Sequence, residues 1–221
     1  MRSGMSISCN HFGKVEILTV FNVVIVGIGG QGNLLLSRLI ATAARLEGFE
    51  AQTGETLGMA QRGGSVISFI RYGKDVFTPL VPDHEAHFLI SLEPSEALRA
   101  IQYVGSSTSV LLNTRKRVPI QVILGEQEYP DLRQIEGNLK SVGAIIFSFD
   151  AVELGERAGD VRSANVTMLG GMAALGNSCI KVENFREALK QTLHEKLLQV
   201  NLQAFNLGYD IVTSSKSELH T

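Results

Sequence analysis

The chain has 221 residues, enough for one generous domain at roughly 150 residues per domain, and 44% of them are apolar, enough for a sizeable core. Its 20 basic and 22 acidic side chains give a net charge of −2, without the basic excess that marks nucleic-acid binding. Cys9 and Cys179 are the 2 cysteines, too few for a disulfide framework or for the clustered thiolates of an iron–sulfur site, and a usage that fits a reducing cytoplasm.

Residues 1–19 carry Arg2, Asn10, His11, Lys14 and Glu16 between short apolar runs. They read as an N-terminal extension, either a disordered tail or partly a start-site artefact, and make a poor signal peptide. Nor does any run reach the ~18 apolar residues a membrane helix needs. Val20–Val26 is largely β-branched and nearly continuously apolar, as a central strand buried on both faces would be. Gly27–Gly32 follows as a Gly-rich turn, and Asn33–Glu47 has helical spacing with Gly48 to end it. Phe49–Thr53 reads as a weaker second strand and Glu55–Gly64 as a loop.

Ser65–Arg71 alternates as a half-buried strand does. Tyr72–Asp75 reads as a turn and Val76–Pro79 as its return strand, a small hairpin put on an edge by Pro79 and Pro82. His87–Ser91 is another buried strand, Pro94 opens a helix over Ser95–Val104, and Ser109–Asn113 and Ile120–Leu124 are further strands. Asp131–Val142 reads as a helix, Ala144–Phe149 as a strand and Ala151–Arg157 as a short helix. Val166–Leu175 is a helix with Asn165 as N-cap, and Glu183–Leu207 is the longest helix, with one apolar stripe. The pattern predicts a single α/β domain over 20–212, with an open, mostly parallel, Rossmann-like sheet and a small hairpin insert, followed by a frayed tail over 213–221.

Gly27, Gly29 and Gly32 match G-x-G-x-x-G at a strand-to-helix junction, so Gly27, Gly29, Gly30, Gln31 and Gly32 are the candidate cofactor-binding residues. Such a turn lets the backbone approach a phosphate and presents free N–H groups of the helix N-terminus. A dinucleotide site also wants an acid ~20 residues on. Gln52 stands there, Glu50 is early and Glu55 late, so close packing competes with ligand binding as the reason for the glycines. Gly58–Gly64 is a second glycine cluster; its Gln61, Arg62, Gly63 and Gly64 suggest either a backbone passing close to something with the guanidinium aimed at an anion or carbonyl, or a hairpin lead-in with a solvated Arg. Thr114–Arg117 is a basic cluster suited to anionic ligands or an acidic partner, with a solvated turn as the default. His84 and His87 flank Glu85, on the wrong scaffold for a helical metal site.

The runs Gly27–Gly32, Gly58-Met-Ala-Gln-Arg-Gly-Gly64, Tyr72–Pro82 and Leu92–Arg99 together resemble the gamma-type domain of the 2-oxoacid:ferredoxin oxidoreductases, in their indolepyruvate branch. The Met-Ala-Gln-Arg-Gly-Gly run is the specific part, and the likeness spans Val20 to the last long helix. One departure is Leu57, where the branch often has His. The resemblance implies a cytoplasmic, hetero-oligomeric complex in which a larger subunit carries thiamine diphosphate, Mg and iron–sulfur clusters. That complex decarboxylates a 2-oxoacid to acyl-CoA with coenzyme A and passes electrons to ferredoxin. This chain has neither the clustered cysteines nor a Gly-Asp-Gly run for thiamine diphosphate, since Val161 follows Gly159-Asp160. It would bind none of these cofactors alone, have no catalytic or metal-ligating residue of its own, be inactive in isolation, and complete the partner's active site through Gln61, Arg62, Gly63 and Gly64. A free-standing dinucleotide-binding dehydrogenase, or a nucleotide-binding module, is the alternative.

Overall fold

The computed structural model describes residues 20–55, 64–118, 122, 125 and 128–219. Strand β1 (Val20–Ile28) is buried from Phe21 onward. Its Phe21, Val23 and Ile25 enter one hydrophobic core and its Val24 and Val26 the other, which is why the segment is apolar without alternation. The other strands are β2 (Glu50–Glu55), β3 (Ser65–Gly73), β4 (Ala86–Ser91), β5 (Val104–Asn113) and β6 (Ile145–Phe149). Their order across the sheet is β2-β3-β1-β4-β5-β6. β1, β4, β5 and β6 run parallel, while β3 is antiparallel to both β1 and β2. The expected open, mostly parallel α/β sheet is therefore present.

The hairpin uses a different partner from the one expected. β3 pairs with β2, and Val76–Pro79 forms no strand. Both edges of β3 are taken, by β1 from Gly73 to Ser65 and by β2 from Gly73 to Ser68, so no edge is left for a return strand. Pro79 and Pro82 also lack the N–H a ladder needs. Instead the segment straps across the sheet, where Arg71 Nη1 donates to the carbonyls of Thr78 and Leu80 at 3.4 and 3.3 Å.

Helices α1 (Asn33–Leu46), α4 (Ala151–Ala158), α5 (Ala164–Leu175), α6 (Val182–Thr192) and α7 (Glu195–Leu219) cover one face. The short α2 (Glu96–Arg99) and α3 (Leu132–Ser141) cover the other. The helix expected over Ser95–Val104 shortens because Val104 is already needed opposite Ala86 in the sheet. The helix expected over Glu183–Leu207 breaks at Leu193, whose ψ is 147°. α6 packs on α1 and α7 on α5, and one straight stripe cannot face two partners; periodicity alone does not encode that bend. The polar tail is helical as far as Leu219, and Lys216 Nζ caps α5 by donating to the carbonyls of Ala174 and Leu175 at 3.2 and 2.8 Å. Where α5 and α7 cross, a Cβ on Gly170 would lie 2.0 Å from the Phe205 carbonyl oxygen and one on Gly208 1.9 Å from that of Thr167. Only glycine allows these backbones to touch. Residues 1–19 and most of Ile120–Leu124 lie outside the described residues.

Candidate functional site

The Gly-rich turn divides its labour. Gly27 and Gly29 are buried. A Cβ on Gly27 would meet Asn33 Oδ1 at 2.8 Å and Leu92 Cβ at 3.1 Å, so this glycine serves close packing. Gly30 and Gly32, at φ 96° and 90°, make the turn; Gly30 is exposed, whereas a Cβ on Gly32 would lie 2.3 Å from Asn165 Nδ2. The Gln31 amide is used at both ends: its Oε1 accepts from Ile28 N at 2.7 Å and its Nε2 donates to the Leu92 carbonyl at 3.0 Å, which staples the turn to the end of β4. Gly29 N donates to the Gly64 carbonyl at 2.9 Å, so the exit of the second glycine cluster is bonded to the first. Gln61, Arg62 and Gly63 lie outside the described residues.

Beside the turn is a cleft of about 490 Å³, at the carboxyl ends of β1, β4 and β5. The chain leaves β1 toward β2 on one side, while β4 lies on the other, so this is the switch point at which open α/β sheets take ligands. Gly30, Gln31 and Gly32 form one wall, and Asn113 with the strap Arg115–Arg117 forms another. Leu35, Val152 and Val161 supply apolar surface, and Arg162 and Asn165 complete the rim. All the charged groups that line it are cations.

Those cations are not equivalent. Arg115 Nη2 pairs with Asp150 Oδ2 at 2.9 Å, and Arg162 Nη2 pairs with Asp160 Oδ2 at 2.6 Å. The Lys116 ammonium sits over the Tyr129 ring, 4.9 Å from its centre. The Arg117 guanidinium has no carboxylate partner among the described residues. It stands over the turn, with Nη2 and Nη1 3.8 and 3.9 Å from where a Cβ on Gly30 would be. α1 begins at Gly32 without a side-chain cap, so its first amides and the positive end of its dipole also face the cleft. Asn165 is 3% exposed and donates Nδ2 to the Gly32 carbonyl at 3.3 Å, while its Oδ1 is buried with no partner. It is not the expected N-cap, because α5 starts at Ala164, two residues earlier than expected, and Asn165 turns inward. A cleft with one cationic wall and one apolar wall suits an anion carrying an apolar moiety.

Behind the strap lies a second layer. Glu93 is fully buried. Its Oε1 accepts from Tyr129 Oη and, at 3.4 Å, from Arg117 N; its Oε2 accepts from Ser95 Oγ and, at 3.3 Å, from Glu96 N. Burial, helped by the Glu93 carboxylate, pushes the Tyr129 phenol well above its ordinary pKa, so it remains a donor at physiological pH. Glu96 is buried too and accepts from Ser65 Oγ just beyond Gly64, and burial raises its carboxyl pKa against the opposing pull of Ser65 and Arg99.

The dinucleotide alternative loses its ribose partner. β3 stands between β2 and β1, so Gln52 is two strand spacings away, about 10 Å from the β1 axis. His84 Nδ1 lies 3.0 Å from the Val104 carbonyl oxygen, and His87 Nδ1 accepts from Asn22 N at 3.0 Å, so both are occupied by the backbone. Among the described residues no group of three or more His, Cys, Asp or Glu is placed to hold a metal, and no helix is long and apolar enough to cross a membrane. Sequence reasoning raised the basic cluster before Val118 but missed Asn113, Arg162, Asn165 and Glu93. No spacing marks these residues, which reach the site from four separate elements or turns.

A family model described as pyruvate ferredoxin/flavodoxin oxidoreductase matches residues 22–211. The chain is 41% identical over 195 residues to the indolepyruvate oxidoreductase subunit IorB of Archaeoglobus fulgidus, covering 88% of this chain and 96% of that one. Its fold matches the keto/oxoacid ferredoxin oxidoreductase gamma subunit of Geobacter sulfurreducens at a TM-score of 0.66 and 19% identity, over 88% of this chain and 99% of that one. It also matches the 2-oxoglutarate:ferredoxin oxidoreductase of Magnetococcus marinus, solved with 2-oxoglutarate, coenzyme A and succinyl-CoA bound. There the TM-score is 0.68 at 18% identity, over 88% of this chain but 31% of that one.

Proposed function

This chain belongs to the pyruvate ferredoxin/flavodoxin oxidoreductase family, and on that premise we propose that it is the small, cluster-free subunit of an indolepyruvate-type 2-oxoacid:ferredoxin oxidoreductase. Its partner is a larger catalytic subunit. In that partner, thiamine diphosphate with Mg supplies the decarboxylation chemistry and iron–sulfur clusters supply the electron path to ferredoxin. The domain over 20–212 closes against that subunit, with Gln61, Arg62, Gly63 and Gly64 facing its thiamine site or the coenzyme A path. The complex works in the cytoplasm.

The observation that carries this reading is the Arg117 guanidinium, which stands over Gly30 and has no carboxylate partner among the described residues. A phosphate there would meet Arg117 and the α1 N-terminus, which has no side-chain cap, while the apolar wall takes the rest of a coenzyme A molecule. The chain's own residues bind and orient the acyl acceptor and exclude water from it; none of them needs to move a proton.

Purified alone, the chain should give no measurable oxidation of aryl pyruvates, and co-expression with the large subunit should restore it. Turnover by the isolated chain would overturn the reading.

A further inference from the structure

We propose that Glu93 is the positioning residue of the cleft: its buried carboxylate holds the Arg115–Arg117 strap so that the Arg117 guanidinium stands over Gly30. Its ligand rests on the reading above, but the strap itself can be tested without any ligand.

A carboxylate removed from water is costly unless its oxygens are fully used. Glu93 has four neutral donors, two on each oxygen. Oε2 is spent locally on Ser95 and Glu96, which shape the first turn of α2. Oε1 is spent on Arg117 N and Tyr129 Oη, 24 and 36 residues downstream. Oε1 reaches beyond α2: one of its donors lies on the strap, and the other, Tyr129, carries the ring that Lys116 of the strap sits over. The near end of the strap is fixed separately: Asn113 Oδ1 accepts from Arg115 N at 3.3 Å and from Ala151 N at 3.0 Å. Asn113 Nδ2 donates to the Leu92 carbonyl at 2.8 Å. Glu93 therefore fixes the far end, next to the cation that has no carboxylate partner among the described residues. It does not line the cleft itself.

The test uses the full chain. Glu93→Gln keeps the volume but replaces one acceptor oxygen by a donor. Tyr129→Phe removes a strap donor while leaving the ring under Lys116. Ser95→Ala removes an Oε2 donor while keeping both Oε1 donors, Arg117 N and Tyr129 Oη, and is the control. In Glu93→Gln and Tyr129→Phe, native-state trypsin cleavage after Arg115, Lys116 or Arg117 should run about ten-fold faster, because opening of the strap sets the rate. Ser95→Ala should leave that rate unchanged. Calorimetry with pyrophosphate should give an affinity about ten-fold weaker in the same two variants. Should Glu93→Gln fail to fold, Tyr129→Phe against Ser95→Ala decides. Equal cleavage rates in Tyr129→Phe and wild type, or equal acceleration by Ser95→Ala, would overturn the assignment. If wild type binds no pyrophosphate, the coenzyme A reading of the cleft falls, while the cleavage rates still judge Glu93.

Discussion

The two ends of the parallel strands carry similar polar residues and put them to opposite uses. At the amino end Asn22, Arg71, His84 and His87 form a closed set. Asn22 Nδ2 donates to the Glu85 carbonyl at 2.8 Å, Arg71 Nε donates to Asn22 Oδ1 at 2.9 Å, and both histidines bond the backbone. At the carboxyl end Asn113, Arg115 and Gln31 are also spent, but among the described residues the Arg117 guanidinium has no carboxylate partner and Asn165 Oδ1 accepts nothing. Residue type does not separate a structural cluster from a binding site; unspent capacity does. Strand direction explains the difference, since the carboxyl ends of parallel strands meet helix N-termini, which add unpaired N–H groups and positive potential there.

The largest expected effect should come from breaking the closed end. A Cβ on Gly105 would lie 2.3 Å from the His84 carbonyl oxygen, a backbone atom that can yield only if the turn moves. Gly105→Ala should lower stability by about 3 kcal/mol, read by urea unfolding, while the folded protein keeps its affinity for pyrophosphate. Loss of affinity in parallel would mean that the two ends are coupled.

A sharper contrast sets arginine against arginine. Arg117→Ala should weaken pyrophosphate binding by about ten-fold or more, the worth of a charge-assisted contact, with little change in Tm. Arg71→Ala should do the reverse. It strips a donor from Asn22 Oδ1 and from the strap over the sheet, costing about 1–2 kcal/mol of stability and no affinity. Similar affinity losses in both variants would dissolve the distinction between the ends.

The sequence made one side of this contrast legible and hid the other. The Val20–Val26 run, the glycine turn and the helix after it all point to one strand-turn-helix unit, because local period and turn chemistry agree. The turn glycines lining the cleft were readable for the same reason. The position of β3 was not, since its alternation is compatible with any neighbour and only the competition for its two edges decides. The split between α6 and α7 was hidden because an apolar stripe records burial but not the direction of the partner. Glu93 was hidden because a lone Glu before Pro94 looks solvated until Tyr129, far along the chain, is folded onto it.

The smallest effect concerns pH at the closed end. Burial lowers the His87 pKa below its ordinary 6.5, and the nearby Glu85 charge only partly opposes this. The geometry agrees: His87 Nδ1 accepts the Asn22 N–H, which a protonated ring could not do on that nitrogen. The folded state therefore prefers neutral His87 and binds fewer protons than the unfolded chain below pH 6.5. The stability this provides is complete above 6.5 and is lost as pH falls through the lowered folded value. His87→Gln keeps an acceptor for Asn22 N but removes the titration. Its Tm should therefore fall less than that of wild type on acidification from neutral pH into the carboxylate range, because all other titrating groups are shared. An equal fall in both proteins would show that His87 is protonated without cost, and the amino-end cluster would then be less closed than its hydrogen bonds imply.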